Sequence, residues 1–108
     1  MLPNSDTIVT MGWNVKVKNK VGKQIKNLPP SIQAIVQRVV KAIEVSGPIR
    51  PELPNFKKAK GASDCYHCHL KRGNPTYVAI WKVIDKHGKQ AEVLYVGTHE
   101  GADYDRFR

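Results

Sequence analysis

The sequence predicts an α+β domain in which a strand and a helical hairpin precede a three-stranded antiparallel meander, with the helices on one face of the sheet. Three observations predict it. An apolar stripe runs at helical spacing through residues 32–43, an alternating segment precedes it at 13–18, and three strand-like segments separated by turn residues follow it from residue 64 to 96. At 108 residues with 41% hydrophobic and 25% charged composition, the chain has the make-up of one soluble globular domain.

Residues 1–12 lack periodicity and read as a loose N-terminal arm, leaving 13–108 as the single domain. Trp13, Val15 and Val17 alternate with Asn14, Lys16 and Lys18, as in a strand with one wet face. Val21, Ile25 and Leu28 give a helix over Asn19–Leu28, ended by Pro29-Pro30. With Ser31 as its expected N-cap, the second helix carries Ile32, Ile35, Val36, Val39, Val40 and Ile43 on one face. Gly47-Pro48 stops it. The proline-rich connector 47–55 leads to Phe56 and to Lys57, Lys58 and Lys60, expected as charge on a loop. Asp64–Arg72, Thr76–Asp85 and Ala91–Val96 supply the meander. The middle segment is apolar on nearly every residue, as an interior strand covered on both faces should be. Trp13, Trp81 and Tyr95 are expected in the sheet core.

The net charge is +9, and its surplus lies upstream: residues 1–60 carry 11 Lys and Arg against 3 acids, residues 61–108 carry 7 against 6. Such an excess on a small domain suits a polyanionic partner, nucleic acid above all. No segment approaches the ~20 apolar residues of a membrane span, and no basic segment leads into an apolar run at the N-terminus. No membrane association and a cytoplasmic address are expected, with the two cysteines as free thiols.

Most of the chemistry sits in the stretch DCYHCHLKR, residues 64–72. Cys65-x-x-Cys68-His69 is the spacing of covalent haem attachment, and Cys65, His67 and His69 could supply three ligands of a zinc site, with His87 or His99 brought near as a fourth. Read as a strand, the same stretch puts Tyr66, Cys68 and Leu70 on one face and Cys65, His67, His69 and Lys71 on the other, alternate residues ~7 Å apart. That row can bracket a phosphodiester. Histidine can act as base or acid near neutral pH, and Lys or Arg can neutralise a pentacoordinate phosphoryl group, so RNA cleavage through the substrate's own 2′-hydroxyl would need no cofactor and no metal. The haem or zinc protein is the alternative kept open by the residues alone.

DCYHCHLKRGNPTYVAIWKVID followed by VLYVGTHEGADY resembles the C-terminal half of the RelE-type ribosome-dependent mRNA interferases, within the RelE/ParE superfamily of bacterial toxin-antitoxin systems. The resemblance spans Trp13 to Tyr104 in element order. It implies a toxin with endoribonuclease activity that represses translation by cleaving mRNA on the ribosome, leaving a 2′,3′-cyclic phosphate and a 5′-hydroxyl. It also implies a cognate antitoxin protein as partner. Residue by residue, it makes His67, His69, His99, Lys71 and Tyr104 the catalytic set. His67 or His69 would be the base and His99 the acid, with Lys71 and Arg72 holding the scissile phosphate. Lys57, Lys58, Lys60 and Lys82 are further expected RNA or phosphate contacts. Val78 stands where the family commonly has an arginine after the tyrosine of this strand, which leaves a gyrase-inhibiting, non-nuclease toxin of the ParE branch as the alternative.

Overall fold

The computed structural model describes residues 12–59, 64–100 and 102, so the N-terminal arm lies almost wholly outside the described residues. Its elements follow the expected order: β1 (Asn14–Val17), α1 (Asn19–Lys26), α2 (Pro30–Ser46), β2 (Lys57–Lys58), β3 (Cys65–Lys71), β4 (Tyr77–Asp85) and β5 (Gln90–Thr98). The strands form one sheet in the order β1-β5-β4-β3-β2. β1 runs parallel to β5 after the helical crossover, and the other pairings are antiparallel.

The apolar stripe is the face of α2 that meets the sheet. Ile32, Val36, Val39 and Ile43 are buried, and Ile35 and Val40 pack at its margin. Sheet residues Tyr66, Cys68, Leu70, Ala79, Trp81, Ala91, Val93 and Val96 complete this core. Fully burying aliphatic side chains of this size contributes ~1.5–3 kcal/mol each. Trp81 lies at the centre with no exposed surface. Its indole donates to the Pro48 carbonyl at 2.9 Å, and Phe56 tilts over it at 6.0 Å, so the proline-rich connector is tied to the sheet.

Three expectations are corrected locally. The second helix begins at Pro30, with Pro29 in the capping position and no side-chain cap bond, so Ser31 lies inside the first turn. Proline suits that start because a first-turn N–H has no intrahelical acceptor. The first helix ends at Lys26, and the chain through Leu28 is held by the Gln33 amide, which donates to the Leu28 carbonyl at 2.8 Å. Lys57 and Lys58 are not in a loop: they form the edge strand β2, paired with Tyr66 and His67.

Gly47 ends α2 with φ of 95°, and a Cβ there would meet the Trp13 indole nitrogen at 3.1 Å. Glycine meets both conditions, the left-handed backbone and the close approach of β1's leading residue.

The face away from the helices is closed over part of its area. Ala59, Cys65 and Ile80 are buried there with Leu94, Tyr95 and Ala102 against them. A register shift in β5 makes this possible: Ile80 pairs with Tyr95 and Trp81 with Val93, so Leu94 is the extra residue and both it and Tyr95 turn to this side. The backbone N–H of Val96, beyond the reach of the short β1, is taken by the Gln24 side chain at 3.3 Å.

Candidate functional site

β3 divides its residues between two environments. Tyr66, Cys68 and Leu70 enter the helix-side core, while His67 and His69 project from the opposite face with part of each ring accessible. Their backbone is fixed on both sides. β4 pairs His67 with Ile80 and His69 with Val78, and the His69 N–H donates to the Pro54 carbonyl at 2.8 Å.

His99 reaches the same place from the end of β5. Its N–H donates to the Thr76 carbonyl at 2.7 Å, and its carbonyl accepts from Ala102 at 3.2 Å. The ring then meets that of His69 edge to face, with centroids 5.7 Å apart and planes at 81°. Two residues before His99, a Cβ at Gly97 would lie 2.6 Å from the Tyr95 hydroxyl. That hydroxyl donates to the Thr98 carbonyl at 2.9 Å and steadies the residue before His99.

The electrostatics favour the uncharged ring. Burial lowers the proton affinity of His67, and His69, Lys57 and His99 lower it further. Burial does the same to His69, followed by His99, Arg72 and Lys57. Among the described residues, the charged groups that lower the proton affinity of these two rings are histidine, lysine and arginine. Both imidazoles are therefore neutral at pH 7 inside a positive field, able to accept a proton beside a site that favours an anion. His69 Nδ1 is buried without a hydrogen-bond partner among the described residues. Orphaned polar atoms of this kind are rare in interiors and need a functional or structural reason.

Other expected residues are placed less uniformly. Lys71 leaves the histidine row. The register shifts between His69 and Lys71 so that Lys71 pairs with Tyr77, a residue packed on the helix-side core. One extra residue turns every later side chain to the other face. Arg72, next along, acts on His69. Lys58 faces Tyr66 across the edge pair and so belongs to the helix side. Lys82 sits beside Cys65, two residues along β4 from Ile80, and faces Glu92 on β5. Lys60 and Tyr104 lie outside the described residues. Lys57 is the residue whose place sequence reasoning missed: β2 sets it directly opposite His67. A two-residue strand carries too little periodicity to announce itself, and only Phe56 and Ala59 on either side hint at it.

The cysteines cannot converge on one ligand. Cys65 lies in the smaller cluster and Cys68 in the helix-side core, on opposite faces of one strand. Burial pushes the Cys68 thiol up to about 12 and raises that of Cys65, against the pull of Lys82. Both thiols are protonated at neutral pH, so neither is a ready nucleophile. The haem reading needs both cysteines on one side of the strand, which this placement does not give.

Comparison with known proteins gives the same frame. No family model matches the chain. A curated relative from Methanocaldococcus jannaschii, named "Putative toxin RelE1", is 28% identical over 71 residues, 66% of this chain and 78% of the relative. Among solved structures, a mutant of the E. coli toxin RelE in the free state superposes with a TM-score of 0.69 at 18% identity, covering 90% of this chain and 94% of that one. A chain of the archaeal RelE-RelB complex of Pyrococcus horikoshii gives 0.64 at 20% identity, covering 85% and 100%. A chain of the YoeB-YefM complex of Staphylococcus aureus gives 0.61 at 12% identity, covering 81% and 97%. The α+β fold is that of the RelE-type toxins, and the sequence relative carries the same name.

Proposed function

We propose that this chain is a RelE-type toxin of a type II toxin-antitoxin pair, and that it cleaves mRNA on the ribosome as a metal-independent endoribonuclease. The observation that carries the reading is the histidine face: two neutral imidazoles and a third ring against one of them, with Lys57 and Arg72 among the cations that act on them. Such a face can hold a phosphodiester and move protons around it.

In the proposed reaction His67 or His69 takes the proton of the 2′-hydroxyl. The freed oxygen attacks the adjacent phosphorus, the bond to the 5′-oxygen breaks, and His99 returns a proton to that leaving oxygen. The products are a 2′,3′-cyclic phosphate and a 5′-hydroxyl. Arg72 is the phosphate-holding cation nearest His69, and Lys71, Lys82, Lys58, Lys60 and Tyr104 remain candidate contacts to the RNA or its ribosomal setting. Because the bases have lowered proton affinity, activity persists as pH falls below the ordinary imidazole range near 6.5 before its acid limb sets in.

The partner is a cognate antitoxin protein, as RelB and YefM are named in the complexes of the structural neighbours. Binding to the folded toxin would hold it inactive by mass action. Among the described residues no helix is long and apolar enough to cross a membrane, and a cytoplasmic site of action fits a ribosomal target.

Translation of a defined mRNA followed by primer extension tests the reading. The parent is expected to give discrete cuts, and His69→Ala and His99→Ala to lose them. If both variants cut like the parent, the residue assignment fails. Uninterrupted translation combined with inhibition of DNA gyrase would replace the nuclease by a gyrase-directed toxin.

A further inference from the structure

The strand pairing brings one more cation to the histidine face, from a segment that composition reads as a loop. Lys57 is directly opposite His67 in the antiparallel β2–β3 pair. Opposed residues share a face, with Cβ atoms ~4.5–5.5 Å apart. The neighbours fix which face it is. Phe56 stacks on Tyr66 at 5.6 Å in the helix-side core, whereas Ala59 is buried beside Cys65 on the other side. Alternation between them sends Lys57 to the side of Ala59 and the histidines.

The segment is held there by bonds at both ends. The Ala59 N–H donates to the Cys65 carbonyl at 2.7 Å, and the Pro54 carbonyl accepts from His69 at 2.8 Å. Lys57 is exposed, and the ion pairs among the described residues, Lys18–Glu92 and Arg50–Glu52, do not engage it. Across the other flank of His69, Val78 is fully buried and offers no charge. Lys57 from the edge strand thus stands opposite His67, Arg72 from the end of β3 acts on His69, and His99 meets His69 edge to face.

We propose that Lys57 is an active-site cation, whose ammonium contacts a non-bridging oxygen of the scissile phosphate over His67 and His69 and neutralises charge as the pentacoordinate phosphorane forms. This rests on the nuclease reading and gives Lys57 a role in turnover beyond docking. Lys57 is among the groups that lower the proton affinity of both rings, alongside His99 for both and Arg72 for His69, as a charge close to them must.

The test compares the purified full chain with Lys57→Met, Lys57→Arg and, as a charge-matched control on the exposed side of α2, Lys41→Met. On programmed ribosomes Lys57→Met is expected to lower kcat by about 10²–10³-fold with little change in KM, the size seen for loss of one transition-state donor. Lys57→Arg should recover most of it and Lys41→Met should stay within about threefold. An equal loss in Lys57→Met and Lys41→Met, or a loss in KM alone, overturns the proposal in favour of general ribosome docking. Histidine NMR titrations with inorganic phosphate provide a readout without cleavage. Phosphate should shift the His67 and His69 signals in the parent and not in Lys57→Met, whose two rings should also titrate at higher pH. If the parent does not cleave, the nuclease reading fails by itself. Lys57 is then decided by the titration, where an undiminished phosphate response in Lys57→Met overturns it and a lost response upholds it.

Discussion

The two faces of β3 are built from interleaved residues and obey different rules. On the helix side, Tyr66, Cys68 and Leu70 are buried against α2 and Trp81, and what they contribute is area removed from water. On the other side, His67 and His69 keep partial access to solvent. What they contribute is proton affinity lowered by burial and by neighbouring cations. The difference teaches that the core face is defined by hydrophobicity, whereas the working face is defined by register. Its members come from β2, β3 and the end of β5, and a shift of one residue would disperse them.

The comparison breaks first at Trp81. Trp81→Ala removes a side chain with no exposed surface and its bond to Pro48, and leaves a cavity under Phe56. A loss of about 3–5 kcal/mol is expected in urea unfolding, enough to leave so small a domain largely unfolded. His69→Ala should do the reverse: a fall in cleavage of about 10²–10⁴-fold, as for a lost acid-base group, with an unfolding midpoint close to the parent's. A His69→Ala protein as unstable as Trp81→Ala would show that the histidine face is core and would end the division.

Gly97→Ala sharpens the boundary, because this glycine lies in β5 two residues before His99 and beside the Tyr95 hydroxyl. The added methyl would sit 2.6 Å from the Tyr95 hydroxyl and must displace it from the Thr98 carbonyl. About 1–3 kcal/mol of stability is expected to be lost through overpacking. Because His99 follows directly, cleavage should fall by more than the folded fraction explains. A loss of activity that tracks unfolding alone would show that the Tyr95 contact does not position His99.

How much of this was legible in the sequence follows the same division. The stripe from Ile32 to Ile43 exposed the helix and its face, because period 3.6 is written in side-chain polarity. The apolar run of β4 showed it to be interior, and the alternation of β3 sent His67 and His69 away from Cys68. Lys71 was misplaced because a register shift has no compositional mark: His69-Leu70-Lys71 looks like unbroken alternation, and only pairing with Val78 and Tyr77 reveals the extra residue. Lys57 was missed for the converse reason. Nothing in two adjacent lysines says that one will face His67 and the other Tyr66.

The smallest effect separates the faces by pH. Cys68 and its core neighbours do not titrate in the physiological range, since the Cys68 thiol is pushed up to about 12. His67 and His69 have folded-state proton affinities below the unfolded reference near 6.5. Between the folded and unfolded values the unfolded chain binds more protons, so stability must fall as pH drops through 6.5 and level off below the folded values. Above 6.5 the two states bind equally at these rings and the contribution is constant. Urea midpoints measured from pH 8 to pH 5 should therefore decline on the acid side, and His67→Gln with His69→Gln should flatten that decline while leaving the high-pH plateau nearly in place. An undiminished decline in the double variant would assign the acid sensitivity to other groups and remove the lowered proton affinity on which the choice of base depends.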